Sequence, residues 1–315
     1  MIRTFTDLFS LAGTHNAVRA AAACAADREV LAALRSAIDL GIATAVLTGD
    51  RRAILHESEE ASIPTDGMEI IDIPDPVEAC RAAARLTGRG EADVLMKGLI
   101  DTSVLLKAVL DPENGLRTGA ILSHVGLFRV PGWDRFFFVT DAAMNIAPDL
   151  ETKAAIIRNA VAAAHALGIP EPKAAVLCAK EKPDPKMPAT LDAEALVRMN
   201  RNGEIAGCVV GGPLALDNAV SPEAARHKGI DDPVAGRADI LLVPDIESGN
   251  ILYKSMVFFA RAETAGVLMG ARVPVVLTSR ADSSEAKLNS IALAAAVANA
   301  DKNPAARSAG TTGGR

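Results

Sequence analysis

The sequence predicts an α/β protein built on largely parallel sheets. Short, nearly continuous apolar runs rich in β-branched residues recur along the chain, and longer alanine-rich amphipathic stretches follow them. A parallel sheet with helices on its faces requires that alternation, because strands covered on both sides have no polar face to show. One stretch breaks the pattern: ILSHVGLFRV and RFFFVTD flank Pro131-Gly132-Trp133-Asp134, which predicts a hairpin with antiparallel pairing.

In chain order, strands are predicted over residues 43–48, 68–73, 92–96, 174–179, 240–243 and 273–278. Helices are predicted over 17–40, 76–86, 150–167 and 251–265. In the third, Leu150, Ala154, Ile157, Val161 and Ala164 share one face at helical spacing, and Pro148-Asp149 supplies a start signal. A last helix begins near Asp282, with Leu288, Ile291, Ala292 and Ala295 on one face. A domain boundary is expected near Gly119, where the hairpin begins. The tail 301–315 is rich in Gly, Ala, Ser and Thr without apolar period and is expected to be mobile.

Composition bounds the function. A chain of 315 residues can bury one large core or two of ordinary size. Aromatics are only 3%, too few to offer stacking platforms for unpaired bases, and a net charge of -6 opposes nonspecific attraction to DNA or anionic membranes. Neither nucleic acid nor membrane is an expected partner. Cys24, Cys80, Cys178 and Cys208 are scattered, with no CxxC pair, so they read as reduced, buried thiols, and no metal site is expected. No uncharged apolar stretch is long enough for a membrane span, and the first residues, with Arg3, Asp7 and His15, lack a signal-peptide core; a cytoplasmic protein is expected.

The segment VPVVLTSRADSSEAKLNSIALAAAVA carries the most chemistry. A strand stops at Thr278-Ser279-Arg280 and a helix follows, which puts a hydroxyl and a guanidinium in the turn before a helix N-terminus. Free N–H groups and the helix dipole favour an anion there, such as a phosphate or acyl phosphate. The same residues also suit a plain helix start, with Asp282 as the cap and Glu285 closing a capping box.

SRADSSEAK, together with GGPLALDNAVSPEAARHKGI (211–230), VAGRADILLVPDIESGNILYKS (234–255), LRTGAILSH (116–124) and TDAAMNIAPDLETK (140–153), resembles the phosphate acetyl/butyryltransferase family. The likeness covers nearly all of residues 92–298, and Ser279-Arg280-Ala281-Asp282 looks more like the butyryltransferase branch. It implies two αβα domains of the isocitrate/isopropylmalate dehydrogenase type with a coenzyme A cleft between them. Domain one is expected over 1–118 plus 272–315 and domain two over 119–271. The implied reaction is acyl phosphate plus CoA giving acyl-CoA plus inorganic phosphate by direct thiolate attack, with CoA as a substrate and no tightly bound cofactor. A homodimer or higher homo-oligomer is implied as well.

The reaction sets physical demands. A thiol with a pKa of about 8.5 is mostly protonated at neutral pH, so a base or a positive field is required. The carbonyl needs fixed donors as its charge develops, and the leaving phosphate needs cationic and N–H contacts. The resemblance assigns Ser279 to hydrogen bonding at the reacting centre and Arg280 to the phosphoryl group. Where the acetyltransferase branch carries a proposed aspartate base this chain has Ala286. Asp282 and Glu285 flank that position, each a substitute base or a helix cap.

Further substrate and CoA contacts are expected among residues that also have plainer readings. Lys97 ends a strand in LMKG, where α/β ligand sites gather. Lys107 aligns with a family arginine that binds the anionic cofactor, and Arg117 sits in the LRTG turn; both could equally be solvated surface charges. Pro213, Asp217 and Asn218 form a turn and helix start, and Gly249 and Asn250 are expected to open the helix that holds Lys254. His227 and Lys228 could reach CoA phosphates or end an exposed helix. Ser123 and His124 alternate on a strand and face opposite sides, and Asp141 and Asn145 contact substrate or order a crossover. Two other readings are weighed: a decarboxylating dehydrogenase of the same fold, and a degenerate CoA-binding subunit that Ala286 would mark.

Overall fold

The computed structural model describes residues 2–278 and 282–302. Among the described residues the chain divides into two compact units, one holding residues 4–120 and 264–302, the other built on Ile121–Glu263.

The first unit opens with α1 (Phe5–Gly13), β1 (Val18–Ala23), α2 (Arg28–Asp39), β2 (Ala43–Gly49), α3 (Arg51–Glu60), β3 (Met68–Asp72), α4 (Pro76–Gly88), β4 (Val94–Lys97) and α5 (Thr102–Leu110). The chain then builds the second unit from β5 (Ser123–Arg129), β6 (Phe137–Thr140), α6 (Leu150–Ala166), β7 (Lys173–Leu177), α7 (Pro188–Arg201), β8 (Val209–Leu214), α8 (Leu216–Val220), α9 (Pro222–His227), β9 (Ile240–Leu242) and α10 (Ile246–Phe258). It returns to complete the first with β10 (Glu263–Met269), β11 (Val275–Val276) and α11 (Ser284–Lys302).

In the first unit the strands run in the order β3-β2-β1-β4-β11-β10, parallel except for β10 against β11. In the second the order is β5-β6-β9-β7-β8, parallel except for the predicted hairpin of β5 with β6. This is the α/β alternation read from the sequence.

Three elements differ from that reading. Residues 17–40 are not one helix: Val18–Ala23 is a strand and only Arg28–Asp39 is helical, with Asp27 accepting the Val30 N–H as its cap. Alanine favours helix in isolation, yet β1 lies between β2 and β4 with α4 and α11 against it, and Ala20 to Ala23 are wholly buried. Small side chains let both helix layers approach, and tertiary packing outweighs propensity. The helix predicted over 251–265 begins at Ile246 under the Asp245 cap and ends at Phe258, because Arg261 takes a left-handed φ of 52° and the chain turns into β10. The predicted 273–278 strand pairs over Val275–Val276 alone.

Start signals held where polar side chains cap helices: Asp149 accepts from Thr152 N–H and begins α6. Within the stretch expected to be mobile, Asp301 and Lys302 instead end α11, with Lys302 Nζ 2.7 Å from Asp93, while 303–315 lies outside the described residues.

Candidate active site

In the first unit the carboxyl ends of β1, β4 and β11 lie side by side, since Ala23 pairs with Lys97 and Val276 with Met96. α/β folds build ligand sites at such strand ends. Lys97 is 5% exposed and donates from Nζ to the carbonyls of Gly98 and Ile100, each at 3.1 Å. Gly98 is required by close approach, because a Cβ there would meet the Cys24 carbonyl oxygen at 2.2 Å. Thr278, where β11 leads out of the sheet, is buried, and its hydroxyl has no hydrogen-bond partner among the described residues. Ser279 and Arg280 follow and lie outside the described residues.

The chain resumes at Asp282, and the helix start differs from the predicted cap. Ser283, not Asp282, accepts the Ala286 N–H at 3.2 Å, which places Glu285 one residue short of the capping-box position. Glu285 is exposed and Asp282 half-buried. Lys287, which sequence reasoning passed over, is 2% exposed and donates from Nζ to the Asp282 carbonyl at 2.5 Å. Its signal was visible: a lysine one turn into a buried helix, three residues after the serines. Two buried ammonium groups thus belong to β4, the strand paired with β11, and to α11.

The second unit brings four of the predicted residues together. Lys228 Nζ lies 3.0 Å from Glu181 Oε1 and 3.1 Å from Asp217 Oδ2, and Asn218, fully buried, donates to Glu181 at 2.6 Å. Pro213 and Lys228 line a cavity of about 470 Å³ with Lys180, Glu181, Lys182 and Asp232 among its other walls. The Lys228 ammonium holds the Glu181 and Asp217 carboxyls below their ordinary values, and the pair raises Lys228 in turn. Glu181 was missed because its partners lie far along the chain; its place in a charged loop just after β7 was the available signal. This cavity lies within the second unit and contains none of the first unit's strand-end residues. Its charged lining suits polar groups of a ligand.

The other predicted residues of this unit are engaged in ordering it. Ser123 is fully buried, its hydroxyl accepting from Asn159 of α6 at 2.8 Å. His124 packs edge-on to Tyr253 with ring centroids 5.9 Å apart. Asp141 accepts the N–H groups of Ala143, Met144 and Asn145 and the Asn145 side chain, which also reaches the Leu122 carbonyl at 2.9 Å. Gly249 and Asn250 lie inside α10 rather than opening it. A Cβ at Gly249 would meet the Asp141 carbonyl at 2.8 Å, and Asn250 Nδ2 lies 3.4 Å from the Ala142 carbonyl. Lys107, Arg117, His227 and Lys254 are exposed, and none of them lines the cavity. Among the described residues no group of three or more His, Cys, Asp or Glu could hold a metal ion, and no helix is long and apolar enough to cross a membrane.

The family model described as phosphate acetyl/butaryl transferase matches residues 75–295. The chain is 47% identical to a phosphate butyryltransferase of Clostridium beijerinckii over 96% of its own length and 100% of that protein. It is 47% identical to a phosphate acetyltransferase of Thermotoga maritima over 88% of its length and 94% of that protein. Among solved structures, a branched-chain phosphotransacylase from Enterococcus faecalis V583 superposes with a TM-score of 0.79 at 35% identity, covering 89% of this chain and 99% of that one. The chain belongs to the phosphate acetyl/butyryltransferase family.

Proposed function

We propose that the protein is a phosphate acyltransferase that interconverts a short-chain acyl phosphate plus CoA with acyl-CoA plus inorganic phosphate. The observation that carries this reading is identity of 47% to a phosphate butyryltransferase across 96% of this chain and the whole of that protein. The decarboxylating dehydrogenase considered from the sequence has no comparable support.

In this proposal the phosphoryl group binds where β11 leaves its sheet. Ser279 donates to the acyl oxygen as charge develops, and Arg280 holds the phosphate with the buried Lys97. The pantetheine thiolate attacks the acyl carbon, the C–S bond forms, and the C–O bond to phosphate breaks, so the leaving group departs as the anion those cations hold. The proton of the thiol goes to a carboxylate. Asp282, half-buried, suits that role better than the exposed Glu285, and since Ser283 caps the helix neither is needed there.

Lys228, with Asp217, Asn218 and Pro213, is assigned to the polar part of CoA, a role that its ion pairs would have to share. Ser123, Asp141, Asn145, Gly249 and Asn250 act on substrate at most indirectly, through the turn after β6. Lys107, Arg117, His227 and Lys254 are exposed cations open to the cofactor's phosphates. The isocitrate/isopropylmalate dehydrogenase type of fold, the division at 118 and 272, CoA as a substrate with no tightly bound cofactor, a homo-oligomer and a cytoplasmic location belong to the same reading.

Calorimetric titration with CoA and with NAD tests the ligand class: CoA binds and NAD does not. NAD binding with no CoA heat overturns the proposal. A crystal soaked with CoA then identifies the carboxylate within reach of sulfur.

A further inference from the structure

The chain has four cysteines, and two of them meet. Cys24 Sγ and Cys80 Sγ lie 3.9 Å apart although 56 residues separate them in sequence. Cys24 directly follows β1 in a left-handed backbone conformation, φ 55°, which a side chain larger than glycine's adopts at a cost. Its sulfur also approaches the Pro76 carbonyl at 3.3 Å, and the residue is 8% exposed. Cys80 sits in α4, wholly buried. Lys97, on the strand beside β1, adds a positive charge that acts on both sulfurs.

The pair is electronically unequal. A hydrogen bond from the Cys80 thiol holds the Cys24 thiol below its ordinary value; burial and Asp75 oppose this, and Lys97 assists. Cys80 is correspondingly pushed far up. Cys178 and Cys208 differ on both counts: burial raises each to about 11, and their sulfurs contact Ala189 O and Asn200 Nδ2. Thiolate character decides which sulfur attacks an oxidant, and proximity decides whether a second sulfur can resolve the product.

We propose that Cys24 and Cys80 form a peroxide-responsive dithiol that closes reversibly into an intrachain disulfide beside Lys97. The Cys24 thiolate attacks hydrogen peroxide: an S–O bond forms, the O–O bond breaks, and the departing hydroxide takes up a proton to leave as water. Cys80 sulfur then attacks the Cys24 sulfenic acid, the S–S bond forms, the S–O bond breaks, and a second water leaves with the Cys80 proton. Both thiols are oxidised, and peroxide accepts their two electrons. The sulfurs must approach by nearly 2 Å to reach a bond of about 2.05 Å, which draws α4 toward the end of β1. The Gly98 and Leu99 N–H groups donate to the Ala23 and Cys24 carbonyls, each at 2.8 Å, so the Lys97 turn moves with the end of β1. The regulatory consequence, slower acyl transfer in the closed form, rests on the role proposed for Lys97.

The experiment treats the full-length protein with substoichiometric hydrogen peroxide, blocks residual thiols by alkylation, and reads intact mass, linked peptides and turnover. The expected result is a peptide joined through Cys24 and Cys80, two hydrogens lost per chain, and a several-fold fall in turnover that dithiothreitol reverses. Cys80→Ser should stop at a Cys24 sulfenic acid trapped by dimedone, and Cys24→Ser should form no link, so either variant reports even if the other folds poorly. No linked peptide, or oxidation of Cys178 and Cys208 ahead of the pair, overturns the site. A linked peptide with unchanged turnover overturns the coupling to Lys97. A reduced enzyme without activity speaks against the acyltransferase reading and leaves the peptide result standing.

Discussion

The carboxylate of Glu29 accepts the backbone N–H of Ser284 at 3.0 Å, tying the first turn of α2 to the first turn of α11 across 255 residues of chain. With the Ser283 hydroxyl on Ala286, two side chains satisfy N–H groups that a helix start leaves open. What they fix is the start of α11, a few residues along the chain from Ser279 and Arg280.

Glu29→Ala therefore lowers both stability and turnover. Losing this bond costs on the order of 1 kcal/mol, a fall of about 2 °C in Tm for a chain of this size. Glu29→Gln keeps an acceptor and recovers most of the activity. Differential scanning fluorimetry and steady-state kinetics on the two variants decide it; an alanine variant with unchanged kinetics removes the anchoring role.

Lys97→Met tests the buried ammonium at the end of β4. Loss of one charged contact to a phosphate, up to about 3 kcal/mol, lowers kcat/KM for acyl phosphate by about 100-fold. Circular dichroism should show the fold retained. Wild-type kcat/KM in that variant takes Lys97 out of the site.

Much of this was legible in the sequence where local chemistry decides structure. The Pro131-Gly132 turn between two apolar runs gave the hairpin, and Asp149 gave the start of α6. Val18–Ala23 was not legible, because a run of alanines reads as helix until the layers that bury it are known. The capping box misled for a subtler reason: three adjacent candidates, Asp282, Ser283 and Ser284, differ only by register, and the neighbouring Glu29 helps select it. Lys228, Asp217 and Asn218 were singled out, but Glu181, which joins them, is remote in sequence.

The alanines of β1 make a packing prediction. Ala21 is wholly buried in a central strand, so Ala21→Leu forces side chains or helices apart and destabilises by about 1–3 kcal/mol, read from the urea midpoint. A variant as stable as wild type would mean that space exists between sheet and helices.

Lys228→Met has a pH signature. Glu181 and Asp217 have folded pKa values depressed by Lys228, so their contribution is present above the ordinary values of 4.5 and 3.8 and is lost as pH falls through the lower folded ones. The Tm gap between wild type and variant should hold between about pH 6 and 8, narrow in acid and shrink with added salt. A gap that widens in acid contradicts the assignment.

The central claim is tested by measuring CoA-dependent phosphate release from acetyl, butyryl and branched short-chain acyl phosphates, with wild type beside Ser279→Ala and Arg280→Gln. Turnover by the wild type on at least one of them, with both variants folded and most of that turnover lost, is the predicted result. Wild-type protein that binds CoA but releases no phosphate from any of these substrates contradicts it and leaves a CoA-binding subunit in place of an enzyme.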